Sequence, residues 1–415
     1  MDAGYGGYLP RPKGLFHFNR DVFDASRMGE ARQSVFSGVR AKFDLPFVGI
    51  TRDGQLQRGL FTIGDDGLDT ERIFATALDL LDTLSADERH EVMFPIDAAE
   101  WRQWTNAYPI WPAHGLLLED LSITQRESVV ALLAASLSVR GLQETRDCMR
   151  LNAVLGEVVQ DYPDTLTEWM YRFSLFGVPS RDRPWGWQIV GHHLNLHCFI
   201  LARQMVFTPT FMGAEPRVAD RGEFSGIRLF DAEMARGLEL MNALDHGQRQ
   251  TATLCSSMLS ADLPPELNHP TEGRMRSVVG GDNLMLAYEG VCAADLTADQ
   301  RRLLTAVIEA YVGRLPDAQA SVRMKEIEQH FGETYFAWVG PASDVDQPFY
   351  YKVHSPVALI EFDCHSGVFL ANEEPEPFHV HTVVRTPNGN DYGRDLLRQH
   401  YEQAGAAHGH RKAQG

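Results

Sequence analysis

The spacing of apolar positions changes character partway along the chain, near Gly177. Before that point the repeats are helical. Between Asp69 and Leu81, Ile73, Phe74, Ala77, Leu78, Leu80 and Leu81 recur at three- to four-residue spacing behind an acidic first turn, which predicts an amphipathic helix. Thr124 to Leu142 repeats the pattern through Val129, Val130, Leu132, Leu133 and Leu137, and Arg146 to Val159 continues it. Between these stretches Trp101, Trp104, Tyr108 and Trp111 form an aromatic run broken by proline. That run reads either as a core loop or as the wall of a pocket.

Beyond Gly177 the chain turns to extended patterns. Trp185–Val190 runs into a histidine cluster and then into Phe199–Leu201, and two long extended segments separated by Ala202-Arg203-Gln204 predict a hairpin. Helical character returns at 231–245, 297–312 and 318–331. Short β-rich runs follow at 335–339, 349–353, 357–362 and 378–386, and a last helix is expected from Asp391 to about Gln403, after an Asn388-Gly389 turn. The expected organisation is an irregular arm over 1–20, a mainly helical region over 21–175, an α+β region over 176–403 and a disordered tail over 404–415. The fold class is α+β, with a helical N-terminal half packed on a mostly antiparallel sheet that carries the histidine motifs.

Composition narrows the function more by exclusion than by suggestion. The 415 residues are 44% hydrophobic and 23% charged, ordinary globular usage with enough chain for a sizeable core. A formal net charge of −18 with no basic stripe argues against nucleic acid and anionic membrane as partners. Five cysteines without a CxxC pair suggest neither a disulfide framework nor a thiolate zinc site. No apolar run reaches membrane-spanning length and no signal-peptide pattern opens the chain, so a cytoplasmic location is expected.

The candidate chemistry lies in histidines. Gly191-His192-His193-Leu194-Asn195-Leu196-His197 places three in six residues, and Phe378-His379-Val380-His381-Thr382-Val383-Val384-Arg385 supplies two more. His193 and His197 are four apart, a spacing that shares a face on either a strand or a helix. Read as a strand, the first motif puts Trp185, Trp187, Ile189, Gly191, His193, Asn195, His197 and Phe199 on one face, with His192 on the other unless Gly191 allows a bulge. The second motif has strand composition, and period two aligns His379, His381, Val383 and Arg385. Two imidazoles at HxH spacing on a strand give a divalent metal two adjacent ligands. Metal-free catalysis and simple core hydrogen bonding are the competing readings of the same residues.

Glu361 stands in the otherwise apolar Pro356–Phe362 run, either buried against a metal, an imidazole or Arg385, or facing solvent on an edge strand. Asp391 reads most simply as the N-cap of the last helix. The Thr208–Pro216 loop, rich in Gly and Pro, is either a pocket wall or an ordinary connection.

These motifs together resemble the domain-of-unknown-function family 3500. The resemblance rests on Trp185-Gly186-Trp187-Gln188, Gly191-His192-His193-Leu194, Phe207 to Pro216, Pro356 to Asp363, His379 to Pro387 and Asn390-Asp391-Tyr392-Gly393-Arg394-Asp395, with Gln125-Arg126 after Gly115 to Leu121 as an N-terminal signature. It spans roughly residues 70 to 400 and brings no common activity with it. It implies that the two histidine motifs, Glu361 and Arg385 belong to one constellation. A small polar residue, often Asn, stands in the family where this chain has His197, so the resemblance favours His192, His193, His379 and His381 as ligands.

The function expected on these grounds is that of a metal-dependent oxidoreductase or oxygenase with one transition-metal ion, Fe or Cu before Zn, bound by histidines drawn from His192, His193, His197, His379 and His381. Glu361 or a spare histidine would handle protons, and Arg385 would hold a substrate carboxylate bidentately. A zinc hydrolase and a non-catalytic metal or ligand carrier are the alternatives. The sequence names neither the substrate, beyond a small organic molecule, nor the oligomeric state.

Overall fold

A computed structural model describes residues 9–13, 30–107, 113–269 and 271–412, and the side chains of these except over 30–36 and 405–412. Most of the arm expected over 1–20 lies outside the described residues, as do Tyr108 and Trp111 of the aromatic run. The helices are α1 (Glu30–Phe43), α2 (Thr70–Thr83), α3 (Ala86–Val92), α4 (Ile123–Ser136), α5 (Val139–Val159), α6 (Asp231–Ala243), α7 (His246–Ala252), α8 (Ala298–Val312), α9 (Asp317–Gln329) and α10 (Arg394–Lys412). Reciprocal capping boxes start four of them, through Ser85/Glu88, Ser122/Gln125, Asp245/Gln248 and Thr297/Gln300. The helical pattern read as continuous over Thr124–Leu142 is broken, because Leu137 is extended and Ser138 caps α5 by accepting from Gly141 N. The last helix continues to Lys412, into the stretch expected to be disordered.

Thirteen described strands form one mixed sheet: β1 (Met93–Phe94), β2 (Leu116–Leu117), β3 (Tyr171–Phe176), β4 (Trp185–Gly191), β5 (Leu194–Leu201), β6 (Gln204–Val206), β7 (Thr210–Ala214), β8 (Thr253–Cys255), β9 (Val291–Cys292), β10 (Tyr335–Val339), β11 (Tyr350–His354), β12 (Leu359–Cys364) and β13 (Val380–Arg385). The order is β1-β3-β4-β5-β7-β13-β12-β11-β10-β8, and among the described pairs only β1·β3 and β10·β8 are parallel. The fold is α+β, as expected. The boundary expected near residue 175 falls inside β3, and one buried cluster runs from Leu80 and Leu133 through Leu175 and Trp187 to Val383.

Register gives the sheet two unlike faces. Asn195, Phe211 and Val383 align across β5, β7 and β13, and Gly213, His381 and Asp363 align one step further along β7, β13 and β12. On the opposite face Leu194, Met212, Thr382 and Phe362 align. That second face meets helices: Tyr351 reaches Tyr311 of α8, their hydroxyls 2.6 Å apart, and would clash with any side chain at Gly237 of α6. The first face is covered by irregular chain, residues 101–106 and 271–283, whose polar groups bond down onto the strands. Period-two alternation therefore separates an apolar, helix-packed side from a side carrying buried His, Glu, Asp and Arg.

No described helix is long and apolar enough to cross a membrane.

Candidate metal centre

Three imidazoles converge on the polar face. His381 Nε2 lies 3.1 Å from His193 Nε2 and 3.0 Å from His379 Nε2, and the third edge, His379 to His193, is 3.3 Å. All three residues are buried, at 5%, 0% and 4% exposure for His193, His379 and His381. Period two along the β13 segment aims His379 and His381 to one side, as the sequence indicates. His193 arrives differently. It is not on a strand: Gly191 pairs with Leu194, so His192-His193 is the two-residue turn of the β4–β5 hairpin, and His193 takes a left-handed φ of 63°. The strand reading of this segment is thus corrected, and so is the face shared by His193 and His197.

The turn is held from several sides. His193 N donates to Asn106 O at 3.1 Å, Gly213 N donates to His193 O at 2.7 Å, and the Cys148 thiol lies 3.2 Å from His193 O. Burial pushes that thiol up to about 12, so it stays protonated as a structural donor. Gly213 supplies the space: a Cβ there would come within 2.9 Å of His381 Cδ2 and 3.0 Å of His193 Cδ2.

His379 Nδ1 faces Ser366 O at 2.7 Å and must donate to it, which leaves its Nε2 as a bare lone pair. The same carbonyl receives His365 Nδ1 at 2.9 Å. The loop bearing Ser366 is pinned by Glu215, whose carboxylate accepts from the backbone N–H groups of Val368, Phe369 and Leu370 at 2.9–3.2 Å. Burial holds the Glu215 carboxyl up at about 7 despite those three donors. Burial, then mutual repulsion or the neighbouring His365, keeps all three converging histidines well below their ordinary range, hence neutral, the form that ligates metal.

Three neutral imidazoles cannot satisfy this triangle among themselves. With the His379 proton on Nδ1, one Nε2–H can donate to its lone pair, but the other contacts then face lone pair to lone pair or N–H to N–H. His381 Nδ1 is also buried without a hydrogen-bond partner among the described residues. The edges fit those a cation would impose: nitrogens about 2.1 Å from one ion at angles between roughly 90° and 110° would stand about 3.0–3.4 Å apart.

The remaining candidates are placed elsewhere. His197 donates from Nδ1 to Pro209 O at 2.7 Å and meets Gln188 Nε2 at 2.8 Å with its other nitrogen, so no ligand atom is left. It packs by Trp104 and Tyr392, ring centroids 5.6 and 5.1 Å away. His192 stacks on His193 at 3.9 Å and bonds Asn152 Oδ1 through Nδ1 at 2.8 Å, beside the triangle and outside it. Glu361 is fully buried and accepts from Arg276 N, Ser277 N, Ser277 Oγ and Tyr350 OH, so it fastens the covering segment to β12. Arg385 uses all three nitrogens, on Asp391 Oδ2 (2.8 Å), Ser277 O (2.7 Å) and Asp282 Oδ1 (2.5 Å), at 0% exposure. The roles expected for Glu361 as a proton carrier and Arg385 as a substrate clamp give way to structural ones, because both groups are already saturated. Asp391 is no N-cap either; it receives Thr386 N and the Arg385 guanidinium.

Two contributors escaped the sequence reading. His365 lies with its ring centroid 4.6 Å from that of His381, just past the strand expected to end at Phe362, and nothing in its spacing singled it out. Glu215 sits just past the end of β7, inside the Phe207–Pro216 motif, where it was not singled out as a site residue. Trp101 and Trp104 are core residues, Trp101 stacking on Phe176 at 3.9 Å. A cavity lined by Phe207, Met212, Tyr311, Arg314 and Gln319 lies on the other face of the sheet, away from the histidines.

No curated protein and no solved structure matches the chain. A family model described as "Protein of unknown function (DUF3500)" matches residues 66–394, which takes in the turn, Glu215, His379 and His381, and the chain belongs to that family.

Proposed function

We propose that this protein is a metal-dependent enzyme that holds one transition-metal ion on His193, His379 and His381 and acts on a small organic substrate. The observation that carries the reading is the convergence of three Nε2 atoms, 3.0–3.3 Å apart, from two segments far apart in sequence. His193, His379 and His381 would hold the ion through Nε2, and it would supply a Lewis-acid or redox centre that takes water or substrate as a further ligand. An all-imidazole set without thiolate suits Fe(II) or Cu, and the T-shaped contact of Phe211 with His381 gives the centre an apolar wall. Both features support redox chemistry with a small oxidant such as dioxygen. A second reading, a zinc hydrolase, is favoured by the ligand charge: three neutral imidazoles leave the ion its full positive charge, which acidifies a bound water most. The saturation of Arg385 removes the reason to require a carboxylate on the substrate.

Elemental analysis of the purified protein tests the reading. About one Fe, Cu or Zn per chain is expected, and loss of that ion in His379→Ala and in His381→Ala with helical content retained. Metal-free protein that rebinds none of these ions after chelator treatment would refute it. Oxygen uptake with a turned-over substrate, against turnover by the zinc form without oxygen, separates the two chemistries.

A further inference from the structure

We propose that Glu272, oriented by Asn106, is the group that takes and returns protons beside the three-histidine centre; this rests on the metal reading above. Contacts on both sides set Glu272 next to the residues that hold the centre. On one side is Asn106, 3% exposed, whose carbonyl accepts from His193 N and whose Nδ2 donates to Glu272 Oε2 at 3.0 Å. On the other side Thr271 O lies 3.3 Å from His365 Nε2. Gly273 lies so close to the sheet that a Cβ would come within 2.3 Å of Asp363 Oδ2 and 3.3 Å of His365 Cδ2. Asp363 is the strand partner of His381. Glu272 therefore bridges the residue that holds the His193 turn and the residues flanking His381.

The other carboxylates of this face are committed. Asp363 takes a bidentate bond from Arg274, Asp282 is shared by Arg102, Arg385 and Tyr392, Glu361 has its donors from Arg276, Ser277 and Tyr350, and Glu215 holds three backbone N–H groups. Among the described residues Glu272 accepts only from the Asn106 and Thr271 side chains. Asn106 Oδ1 is buried with no hydrogen-bond partner among the described residues, an acceptor beside the Glu272 carboxyl. With Nδ2 donating to the ionised Glu272 carboxylate, Oδ1 is the amide atom left over.

The step is an acid–base one. A water beside the centre gives one O–H bond to Asn106 Oδ1 and its other proton to a Glu272 oxygen; the carboxylate becomes a carboxylic acid and hydroxide stays behind, and the return restores both. The charges that face Glu272 are Asp363 and Lys42, with Arg274 tied to Asp363 and the neutral His365 beside it. Burial and the Asp363 charge hold the carboxyl up at about 7, a suitable value for this exchange.

The test uses cobalt(II) bound to the full-length protein, its visible absorption followed with pH and its affinity measured by calorimetry. In Glu272→Gln the midpoint of the spectral change is expected to move down by about one pH unit, since a carboxylate no longer repels the hydroxide. Cobalt affinity should stay within about threefold, because no ligand is lost. Glu272→Asp, which keeps the charge, should restore the parental profile. An unchanged midpoint in Glu272→Gln overturns the inference, as does loss of cobalt comparable to His381→Ala, which would make Glu272 a ligand. Failure of the parent protein to bind cobalt, zinc, iron or copper would instead overturn the metal reading itself.

Discussion

Gly213 shows how much of the centre depends on an atom that is not there. The residue pairs with His381 across β7 and β13, gives its N–H to His193 O, and leaves room for both rings where any Cβ would press on them. The nearest of those contacts, to Val380 O and His381 Cδ2, are both 2.9 Å, and one is backbone, so the strand itself would have to yield. Gly213→Ala is therefore expected to spread the nitrogens and weaken ion binding by about tenfold or more. Calorimetric titration with zinc measures it, and parental affinity in this variant would show that the triangle is not built on that gap. At this scale His379 and His381 were legible, because period two on a β-branched run fixes which way each ring points. His193 was legible as a candidate but not in its geometry, since the pairing of Gly191 with Leu194 depends on a hairpin that no residue signals as Asn-Gly would. His365 and Glu215 act through one carbonyl, Ser366 O, and a backbone carbonyl carries no mark in a sequence.

Arg385 belongs to the scale of elements. Its guanidinium joins β13 to the start of the last helical segment through Asp391 and to the covering segment through Ser277 O and Asp282, and Arg102 reaches the same Asp282 at 2.7 Å. Burial alone would work against this cation, but the two carboxylates raise its proton affinity above the ordinary arginine value. Arg385→Met would leave Asp391 buried without its cation, while Asp282 keeps Arg102 and Tyr392, at a cost of about 3–5 kcal/mol. Metal affinity in the fraction that folds is expected to remain near the parental value; urea denaturation with zinc titration on one preparation checks both. A stable variant with impaired substrate binding would return Arg385 to the role of a clamp. The element pattern itself was mostly legible. Strand β10 matches the run read over 335–339, and α8 and α9 fall within a residue or two of the expected helices. The covering segment 271–283 was not, because it has no periodicity: its side chains are fixed by partners on distant strands, such as Arg274 on Asp363 and Ser277 on Glu361.

Across the whole molecule, the two buried sides of the sheet load the interior with groups that titrate in opposite senses. His192, His197 and His354 are each pushed down to about 3, chiefly by burial, from an ordinary 6.5. Glu215 and Glu272 are raised to about 7 from 4.5. The carboxyls hold protons in the fold that the unfolded chain releases, so the stability they add is complete below pH 4.5 and is lost as pH rises through 7. The histidines work the other way. Below pH 6.5 the unfolded chain takes up protons that the folded one refuses, so each histidine withdraws stability as pH falls from 6.5 toward 3. The parental profile sums these slopes and can look flat while large terms cancel; a single variant separates them. His197 is the best placed, since it is outside the three-histidine triangle and both of its nitrogens are committed to Pro209 and Gln188. In going from pH 6.5 to pH 5 the parent should lose about 2 kcal/mol more stability than His197→Asn, one pH unit being worth about 1.4 kcal/mol per group. Denaturation midpoints at the two pH values, parent and variant side by side, give that difference directly. The sign is the decisive part: the variant is less stable than the parent at neutral pH, yet it should close the gap on acidification. If the gap stays constant or widens, His197 is charged in the folded protein and the neutral, carbonyl-bound ring described for it is wrong.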